Sequence, residues 1–523
     1  MIERLEKKSR QDATDLSTHF ATPTSLRVGV VGLGYVGLPL FLRLVDKGFN
    51  VIGVEIAQSV LDAVTSGRSW VEGIDDSDIQ LAMGSGRASV VKVGLELNSD
   101  SLKALFGLDV IVVCVPTPLR EKRGWSPETS SIVASAQLLC RLCELERESN
   151  VLPKHRLIIL ESTTYPGTTS QIFAPLHNLF RGGEHELFLA YSPERTSPGP
   201  ESHKADSPMN TFKIPRIVAG ADRRSLAAAE GFYGSIFDAV HPVSSLEAAE
   251  MTKLVENTFR FVSIGFANEI ARIAAAFNLD VWEIISAAKT KGFGLDICYP
   301  GLIGGHCLPI DPHYLNWAYR NHRNSATFVE VAERSHQDAR RSAVDIVQRG
   351  LSRVGKSVFE SSIVFFGVAY KADVGDIRES GSVDLMKKLF GFGASVSFWD
   401  PIYSSTPVST PVEFSFTDSE VEQMPASSAR QLVGSNGAWT HRPKELHGNW
   451  EQLRQEIMSG FDCVVLAANH RSFRETYSEL LLRAGGPILI DINNALGSSA
   501  TDLSEAETSA LENRAHYLLF GRD

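Results

Sequence analysis

Near the N-terminus an apolar run leads directly into a GxGxxG loop: Arg27-Val28-Gly29-Val30-Val31-Gly32-Leu33-Gly34-Tyr35-Val36-Gly37. A helical pattern follows it. After a strand, such glycines allow a tight turn, close approach of the backbone to a pyrophosphate, and close packing of helix on strand. The next predicted strand ends at Glu55, eighteen residues after Gly37. A carboxylate there accepts hydrogen bonds from a ribose hydroxyl and repels a 2′-phosphate, so the unit predicts NAD rather than NADP.

Short apolar runs rich in β-branched residues alternate with helical patterns elsewhere in the chain, which is typical of parallel sheets with crossover helices. The predicted strands are Arg27–Val31, Asn50–Val54, Asp109–Val115, Leu157–Leu160, Leu187–Tyr191, Ser362–Gly367, Ala394–Trp399, Asp462–Ala467 and Pro487–Asp491. From about Ser225 to Arg353 strand signals vanish, and one helix carries a broad apolar stripe. Its residues are Leu254, Val255, Thr258, Phe259, Val262 and Phe266. The sequence therefore predicts an α/β protein with two Rossmann-like domains joined by a helical connector.

The predicted boundaries follow these patterns. We expect residues 1–25 to be an appended, mobile segment, 26–224 a NAD-binding Rossmann domain, 225–353 a helical connector that mediates dimerisation, and 354–523 a second Rossmann-like domain. Residues 402–458 are rich in Ser, Thr and Pro and lack sustained periodicity, which predicts a surface insertion or loop.

Composition excludes several classes of protein. The 523 residues are 43% hydrophobic and 22% charged, which is ordinary globular usage. Six cysteines are too few for a disulfide scaffold. The net charge of −11 has the wrong sign for a general binder of nucleic acid or anionic membranes. No apolar stretch is long enough to span a bilayer, and the N-terminus lacks the apolar core of a secretory signal. We therefore expect a cytoplasmic protein.

A second loop contains a thiol, an imidazole and a carboxylate within twelve residues: Gly301-Leu302-Ile303-Gly304-Gly305-His306-Cys307-Leu308-Pro309-Ile310-Asp311-Pro312. A cysteine nucleophile needs thiolate character from nearby cations or amide dipoles, and the glycine and aspartate context favours this role for Cys307. For Cys114, Cys140, Cys143 and Cys463 an inert buried thiol is the simpler interpretation. A zinc site is a competing interpretation for four nearby residues: Cys298, His306, Cys307 and His313. No CxxC pair or helical histidine spacing supports such a site. No metal is predicted.

Three further segments are candidates for the same site. Lys253 and Asn257 are four residues apart and share a helix face, although alone they are typical of an ordinary surface pair. The loops Glu161–Gly167 and Tyr191–Arg195 each follow a predicted strand. In open α/β sheets ligands bind beyond the carboxyl ends of the strands, so both loops should face the cofactor crevice.

In combination these motifs resemble the UDP-sugar 6-dehydrogenases, the family of UDP-glucose and UDP-N-acetylhexosamine dehydrogenases. The resemblance covers about residues 26–400 and 460–497. Its markers are Val31–Leu40, Val113–Pro118, Ser162–Thr168, Ser192–Gly199, Lys253–Asn257, Gly304–Pro312, Ala369–Lys371 and Asp376–Ser380.

The resemblance implies a four-electron oxidation of the sugar's primary alcohol to a carboxylate with two NAD, without release of the aldehyde. Cys307 would attack the aldehyde, and the thiohemiacetal would be oxidised to a thioester and hydrolysed. Lys253 and Asn257 would stabilise developing oxyanion charge, and Asp311 would transfer protons with water. Glu194 and Thr163 would act in acid/base chemistry and water positioning.

The resemblance also implies the binding residues and the partners. Pro116, Thr117, Thr163 and Arg378 would contact NAD together with Gly32, Gly34, Tyr35, Val36, Gly37 and Glu55. Glu194, Arg195, Lys253, Asn257, Tyr299, Gly301, Gly304 and Lys371 would contact the UDP-sugar. The second Rossmann-like domain would bind the UDP-sugar, and a homodimer or higher homo-oligomer is expected.

The substrate is less sharply indicated. Ser192–Arg195, Tyr165–Gly167 and Gly304–Cys307 look like the N-acetylhexosamine branch, so UDP-N-acetylglucosamine is the first choice, for polysaccharide or surface-antigen synthesis, and UDP-glucose the second. Asn493 stands where this branch usually carries an arginine, and segments 1–25 and 402–458 are extra. Two other functions stay open: a two-electron dehydrogenase of a hydroxy acid or hydroxyacyl substrate, and a catalytically silent nucleotide-sugar-binding or scaffold protein.

Overall fold

The computed structural model describes residues 2–71, 73–94, 99–120, 125–180, 184–196, 199, 202, 207, 210–405, 411–435, 438–473, 487–493 and 517–519. The chain forms two compact units. The first comprises Met1–Asn257 and Ile310–Ser325, and the second comprises Thr258–Pro309 and Ala326–Asp523.

The strands are β1 Arg27–Val31, β2 Asn50–Glu55, β3 Ala88–Lys92, β4 Val110–Val113, β5 Leu119–Arg120, β6 Ser126–Pro127, β7 His155–Leu160, β8 Glu186–Tyr191, β9 Arg216–Gly220, β10 Val240–Pro242, β11 Ser362–Phe366, β12 Ser395–Trp399, β13 Phe414–Phe416, β14 Val433–Ser435, β15 Ala438–His441, β16 Lys444–Glu445, β17 Cys463–Leu466, β18 Ile488–Asp491 and β19 Tyr517–Leu519. The helices are α1 Ile2–Phe20, α2 Gly37–Asp46, α3 Gln58–Thr65, α4 Asp76–Gly84, α5 Ser99–Lys103, α6 Ser130–Glu148, α7 Thr168–Phe180, α8 Arg223–Gly234, α9 Leu246–Ala276, α10 Val281–Lys289, α11 Asp311–Arg320, α12 Thr327–Arg353, α13 Gly381–Gly391, α14 Pro401–Ser405, α15 Asp418–Glu422, α16 Ala426–Ala429 and α17 Trp450–Gly460. None of the helices in the described ranges is both long and apolar enough to cross a bilayer.

The first unit is built on an eight-stranded sheet with the order β10-β9-β8-β7-β4-β1-β2-β3. Its pairs are parallel except β8 with β9. All five predicted strands of this half are present, but β3, β9 and β10 were not predicted. The sheet reaches Pro242, so the expectation that strands end before Ser225 is wrong. β3 and β10 are edge strands without a fully buried residue, so they lack the continuous apolar run that marks a central strand.

The N-terminal segment forms helix α1, and its last turns pack against α8. Leu16 and Phe20 are buried, and the ring of Phe20 lies 5.8 Å from that of Phe188 on β8. A Cβ added to Gly231 on α8 would come within 2.1 Å of the carbonyl oxygen of Ser17, so this close approach requires glycine. Where the sequence predicted a mobile appendage, the structure has a helix with a buried C-terminal end.

The second unit is built on a six-stranded sheet with the order β16-β12-β11-β17-β18-β19, and all its pairs are parallel. The four predicted strands of this half form its centre. Helix α12 covers one face of the sheet, and Gly350 on this helix lies close enough to Ile488 and Ile490 that a Cβ would clash with both side chains.

Residues 402–458 are not an irregular loop, which corrects the sequence prediction. β13, β15 and β14 form a three-stranded antiparallel sheet, and α15 begins with a capping box between Thr417 and Glu420. Phe414 and Phe416 point inward and pack beside Phe390 of α13. Three residues of alternation are too few to show a period in the sequence. Residues 406–410 and 436–437 of this segment lie outside the described residues.

Candidate active site

In the glycine loop between β1 and α2, contacts within the protein explain why two of the three positions are glycine but do not explain the third. A Cβ on Gly32, at a φ of +92°, would meet the carbonyl oxygen of Cys114 at 2.6 Å, and one on Gly37 would meet that of Gly32 at 1.8 Å. A Cβ on Gly34 would meet no atom within 4 Å. Glu55 accepts hydrogen bonds from the backbone N–H groups of Leu33 and Ala57 at 2.9 Å. The open space at Gly34, beside a carboxylate at the end of β2, fits the pyrophosphate and ribose of a dinucleotide.

A buried arginine, absent from the sequence prediction, organises the carboxyl ends of β7 and β8. Arg216 on β9 is 2% exposed and contacts Glu161 at 2.5 Å and Glu194 at 2.7 Å. Its Nε also donates to Ser192 Oγ at 2.8 Å. The Tyr233 hydroxyl donates a hydrogen bond to Glu161 as well. These contacts fix the loops that follow the two strands.

This network shifts the pKa values of the two carboxyl groups in opposite directions. Burial raises the pKa of Glu161. Burial acts in the same direction on Glu194, but Arg216 and hydrogen bonds from Thr196 outweigh it and hold the pKa of Glu194 below its ordinary value. Glu194 is therefore an ionised, fully engaged hydrogen-bond acceptor. The predicted substrate residue Arg195 is also engaged, because it forms an ion pair with Glu256 of α9 at 2.6 Å.

The first unit brings together three of the predicted catalytic residues. Lys253 and Asn257, on α9, are 6% and 8% exposed, and Asp311 at the start of α11 is 2% exposed. The Asn257 amide donates a hydrogen bond to Asp311 Oδ2. Burial raises the pKa of Asp311 to about 6, although Lys253 and Asn257 act in the opposite direction. A carboxyl with this pKa exchanges protons near neutral pH.

Helix α11 also holds the predicted cofactor loop. The hydroxyl of Tyr314, three residues after Asp311, lies 3.0 Å from the carbonyl oxygen of Thr117 and 3.2 Å from that of Pro118. Thr117 is buried and Pro116 is exposed. The helix that carries the proton-transfer candidate thus fixes the loop after β4.

A second residue that the sequence prediction missed is Glu250, one turn before Lys253 on α9. Its carboxylate accepts hydrogen bonds from the N–H groups of Gly167 and Thr169, at 2.6 and 2.9 Å, and from the Thr169 hydroxyl. Burial raises the pKa of Glu250 to about 7. Glu250 ties the turn that follows the partly buried Thr163 to the helix that carries Lys253.

The second unit holds Cys307, which is partly buried in the loop before α11. The glycines of this loop serve packing against residues 370–381. A Cβ on Gly304 would lie 2.7 Å from both the Glu379 carbonyl oxygen and Tyr370 Cβ. Gly305 has a φ of +85°, its N–H donates to the Arg378 carbonyl oxygen at 2.9 Å, and a Cβ there would meet the Tyr370 ring at 2.8 Å. The cysteine loop and the segment that contains Lys371 and Arg378 therefore pack directly together.

The start of the cysteine loop is held by the second half of α9. Asn268 accepts from the N–H of Gly301 at 2.8 Å and donates to its carbonyl oxygen at 3.0 Å. The predicted substrate residue Tyr299 is 41% exposed and stacks on Trp282 of α10, with ring centroids 5.3 Å apart. The role of Asn268 could not be predicted from the sequence, because a single asparagine in an apolar helix does not form a recognisable motif.

The remaining predicted residues of this unit lie around the same loop. Arg378 contacts Asp376 through Nη2 at 2.7 Å and its side chain is 40% exposed. Burial, together with the charge of Arg378, lowers the pKa of His306 to about 4. Asn493 follows β18 and donates a hydrogen bond to the Ala467 carbonyl oxygen, and its Oδ1 lies 3.7 Å from the Cβ position of Gly301. Asn493 thus stands beside the cysteine loop.

Each unit therefore carries a distinct set of predicted residues. The first holds the glycine loop, Glu55, Pro116, Thr117, Thr163, Glu194, Arg195, Lys253, Asn257 and Asp311. The second holds Tyr299, Gly301, Gly304, Cys307, Lys371 and Arg378. Within the described ranges, no three His, Cys, Asp or Glu side chains are grouped so that they could hold a metal ion. All six cysteines are free thiols.

Three domains of one family match this sequence: the NAD binding domain of the UDP-glucose/GDP-mannose dehydrogenase family at residues 26–236, its central domain at 247–338 and its UDP binding domain at 364–498. The chain is 30% identical over 388 residues to a UDP-N-acetyl-D-mannosamine dehydrogenase from Methanococcus maripaludis, which covers 73% of this chain and 82% of that protein. It is 28% identical over 427 residues to a UDP-N-acetyl-D-glucosamine 6-dehydrogenase from Pseudomonas aeruginosa, which covers 78% and 94%.

Two solved structures share the fold. A UDP-D-ManNAc dehydrogenase from Pyrococcus horikoshii aligns with a TM-score of 0.71 at 24% identity, covering 95% of this chain and 99% of that one. A UDP-glucose dehydrogenase from Pyrobaculum islandicum aligns with a TM-score of 0.68 at 21% identity, covering 90% and 95%. The predicted fold class, the NAD-binding domain and the resemblance are confirmed, and the chain belongs to the UDP-glucose/GDP-mannose dehydrogenase family.

Proposed function

We propose that this protein oxidises the primary alcohol of a UDP-N-acetylhexosamine to the uronic acid, with Cys307 as the covalent nucleophile. The first-choice substrate is UDP-N-acetylglucosamine. The observation that carries the proposal is the buried group formed by Lys253, Asn257 and Asp311. Asp311 follows Cys307 by four residues, a stretch that spans at most about 14 Å even when fully extended. A thiol and a carboxyl with a pKa of about 6 therefore belong to one short segment.

The residues divide the chemistry between them. The Lys253 ammonium and the Asn257 amide supply hydrogen-bond donors for the oxyanion that forms when the Cys307 thiolate adds to the aldehyde. Asp311 takes a proton from the water that hydrolyses the thioester, which releases the thiol and the carboxylate product. NAD, when bound at the glycine loop and Glu55, supplies the hydride acceptor for both oxidations. Glu194, which accepts hydrogen bonds from Arg216 and from Thr196, orders the loop after β8.

The choice of sugar rests on three motifs and on the relatives. Three segments have the form of the N-acetylhexosamine branch: Ser192–Arg195, Tyr165–Gly167 and Gly304–Cys307. The relatives include a dehydrogenase named for UDP-N-acetyl-D-glucosamine and several named for UDP-N-acetyl-D-mannosamine. UDP-glucose is the second candidate. Production of a uronic acid for polysaccharide or surface-antigen synthesis is part of the same proposal.

The test is the stoichiometry of the reaction with UDP-N-acetylglucosamine, UDP-N-acetylmannosamine and UDP-glucose. We expect two NADH per sugar, no free aldehyde, and the highest kcat/KM with UDP-N-acetylglucosamine. Cys307→Ala should abolish acid formation, whereas the control Cys140→Ala, a thiol on α6, should retain it. A single NADH per sugar with aldehyde as the end product contradicts the covalent route. Melting shifts on ligand addition without any NADH indicate a silent binding protein instead.

We also propose that the protein is a homodimer formed through α9. Four large apolar side chains lie exposed along this helix at intervals of four and seven residues: Val255, Phe259, Phe266 and Ile273. Phe277, which is also exposed, directly follows the end of the helix. A helical stripe of this kind is typical of a surface that packs against a second helix. Light scattering of Phe259→Asp with Phe266→Asp should show a monomer, and an unchanged mass would place the contact elsewhere.

A further inference from the structure

A buried aspartate–histidine pair in the second unit has no part in the chemistry described so far. Asp400 follows β12 and His470 follows β17, and both are fully buried. The His470 Nε2 lies 3.2 Å from Asp400 Oδ2, and the His470 Nδ1 accepts a hydrogen bond from the backbone N–H of Asp373 at 2.8 Å. Since Nδ1 is an acceptor, Nε2 carries the proton and donates it to Asp400. The imidazole is therefore the neutral tautomer.

Asp400 is saturated with hydrogen bonds. Its Oδ2 also accepts from the N–H of Val368 at 2.9 Å, and its Oδ1 accepts from the N–H groups of Ile402 and Tyr403 at 3.1 and 3.0 Å. Burial would raise the pKa of Asp400, but His470 and these N–H groups outweigh it and hold the pKa below its usual range. Asp400 thus anchors the backbone after β11 through hydrogen bonds that its carboxylate accepts.

These contacts bracket Lys371. Asp400 holds the backbone at Val368, on one side of the lysine, and His470 holds it at Asp373, on the other. Asp373 has a φ of +58°, a conformation that a non-glycine residue keeps only when its surroundings enforce it. The same segment places the ring of Tyr370 against Gly305 in the cysteine loop.

We propose that Asp400 and His470 are positioning residues that hold the Lys371 segment in the geometry that binds the UDP-sugar. The inference rests on the proposed function in one respect, the role of Lys371 toward the nucleotide-sugar. Removing His470 frees the backbone N–H of Asp373 and one acceptor site of Asp400, so the segment samples other conformations and fewer molecules present Lys371 correctly.

The experiment measures KM for the UDP-sugar, Kd for UDP and Tm on the full-length protein. We expect His470→Ala to weaken UDP binding and raise KM about tenfold with a smaller change in kcat. In His470→Gln the amide nitrogen can donate and the amide oxygen can accept, so this variant should restore part of the loss. The control His441→Ala removes a histidine of the same unit that stacks on Phe390, so it should lower Tm without changing KM.

A double-mutant cycle with Lys371→Ala separates positioning from general destabilisation. If His470 acts through Lys371, the double variant should bind UDP no more weakly than Lys371→Ala alone. Additive losses, or a lower Tm with unchanged KM and Kd, would overturn the inference. If His470→Ala does not fold, Asp400→Asn, which keeps the shape of the side chain, takes its place in the cycle. The UDP titration is independent of turnover, so absence of NADH in the wild type refutes the proposed function and leaves this test standing.

Discussion

Replacing Asp311 by asparagine should make the protein more stable while it abolishes activity. Asp311 is 2% exposed, and burial raises its pKa to about 6 from an ordinary value of 3.8. A shift of about two units at about 1.4 kcal/mol per unit corresponds to about 3 kcal/mol. Asparagine has nearly the same shape, and its amide oxygen can still accept the hydrogen bond from Asn257. The variant therefore loses the cost of a buried carboxylate without leaving a cavity.

The pH dependence follows from the direction of the shift. The folded state binds the Asp311 proton more tightly than the unfolded state, so protonated Asp311 carries no penalty below about pH 4. As pH rises from about 4 to about 6 the wild type loses stability relative to Asp311→Asn. The advantage of the variant should be about 3 kcal/mol at pH 8 and about half of that at pH 5.

The assay is chemical unfolding of both proteins at pH 5 and pH 8, with exposed Asp238 as the matched control position. Asp238→Asn should leave the free energy of unfolding within about 0.5 kcal/mol of the wild type at both pH values. An Asp311→Asn variant that is no more stable at pH 8, or whose advantage is equal at the two pH values, refutes the account of this carboxyl.

Three further substitutions test the packing, each by chemical unfolding. Arg216→Met leaves two largely buried carboxylates without their cation and should cost about 3–5 kcal/mol, whereas Arg141→Met, in an exposed ion pair, should cost less than about 1 kcal/mol. Gly305→Ala should cost about 2 kcal/mol, because of its positive φ and the contact with Tyr370, and Gly355→Ala, at a φ of +73° in open space, should cost less. Phe20→Ala should cost about 3–5 kcal/mol, because the Phe20 side chain is fully buried in the core. Phe328→Ala, at a side chain that is 79% exposed, should be nearly neutral.

The parts of the fold that could be predicted are those in which local pattern and burial agree. The central strands are continuous β-branched runs, and the GxGxxG loop joins one of them to a helix, so their place in the sheet follows from sequence. β10 and β13 could not be predicted, because three residues do not establish a period. Helix α1 was misjudged because its burial depends on Gly231 of α8, more than 200 residues away.

Among the residues of the candidate site, too, only those that lie in recognisable local motifs could be predicted. Lys253, Asn257, Asp311 and Cys307 stand in short motifs whose residue types indicate chemistry. Arg216, Glu250, Asn268 and His470 act on backbone groups and side chains that are distant in sequence, and a single residue of each type carries no local signal. The apolar stripe predicted on α9 is only partly buried: Leu254 is buried, whereas Val255 and Phe259 are exposed.

The covalent role of Cys307 can be examined by mass spectrometry of the protein after rapid quenching of turnover with UDP-N-acetylglucosamine and NAD. We expect a sugar adduct on the peptide that contains Cys307, together with two NADH per uronic acid released. No adduct on this peptide, with full acid formation by Cys307→Ala, would contradict this role.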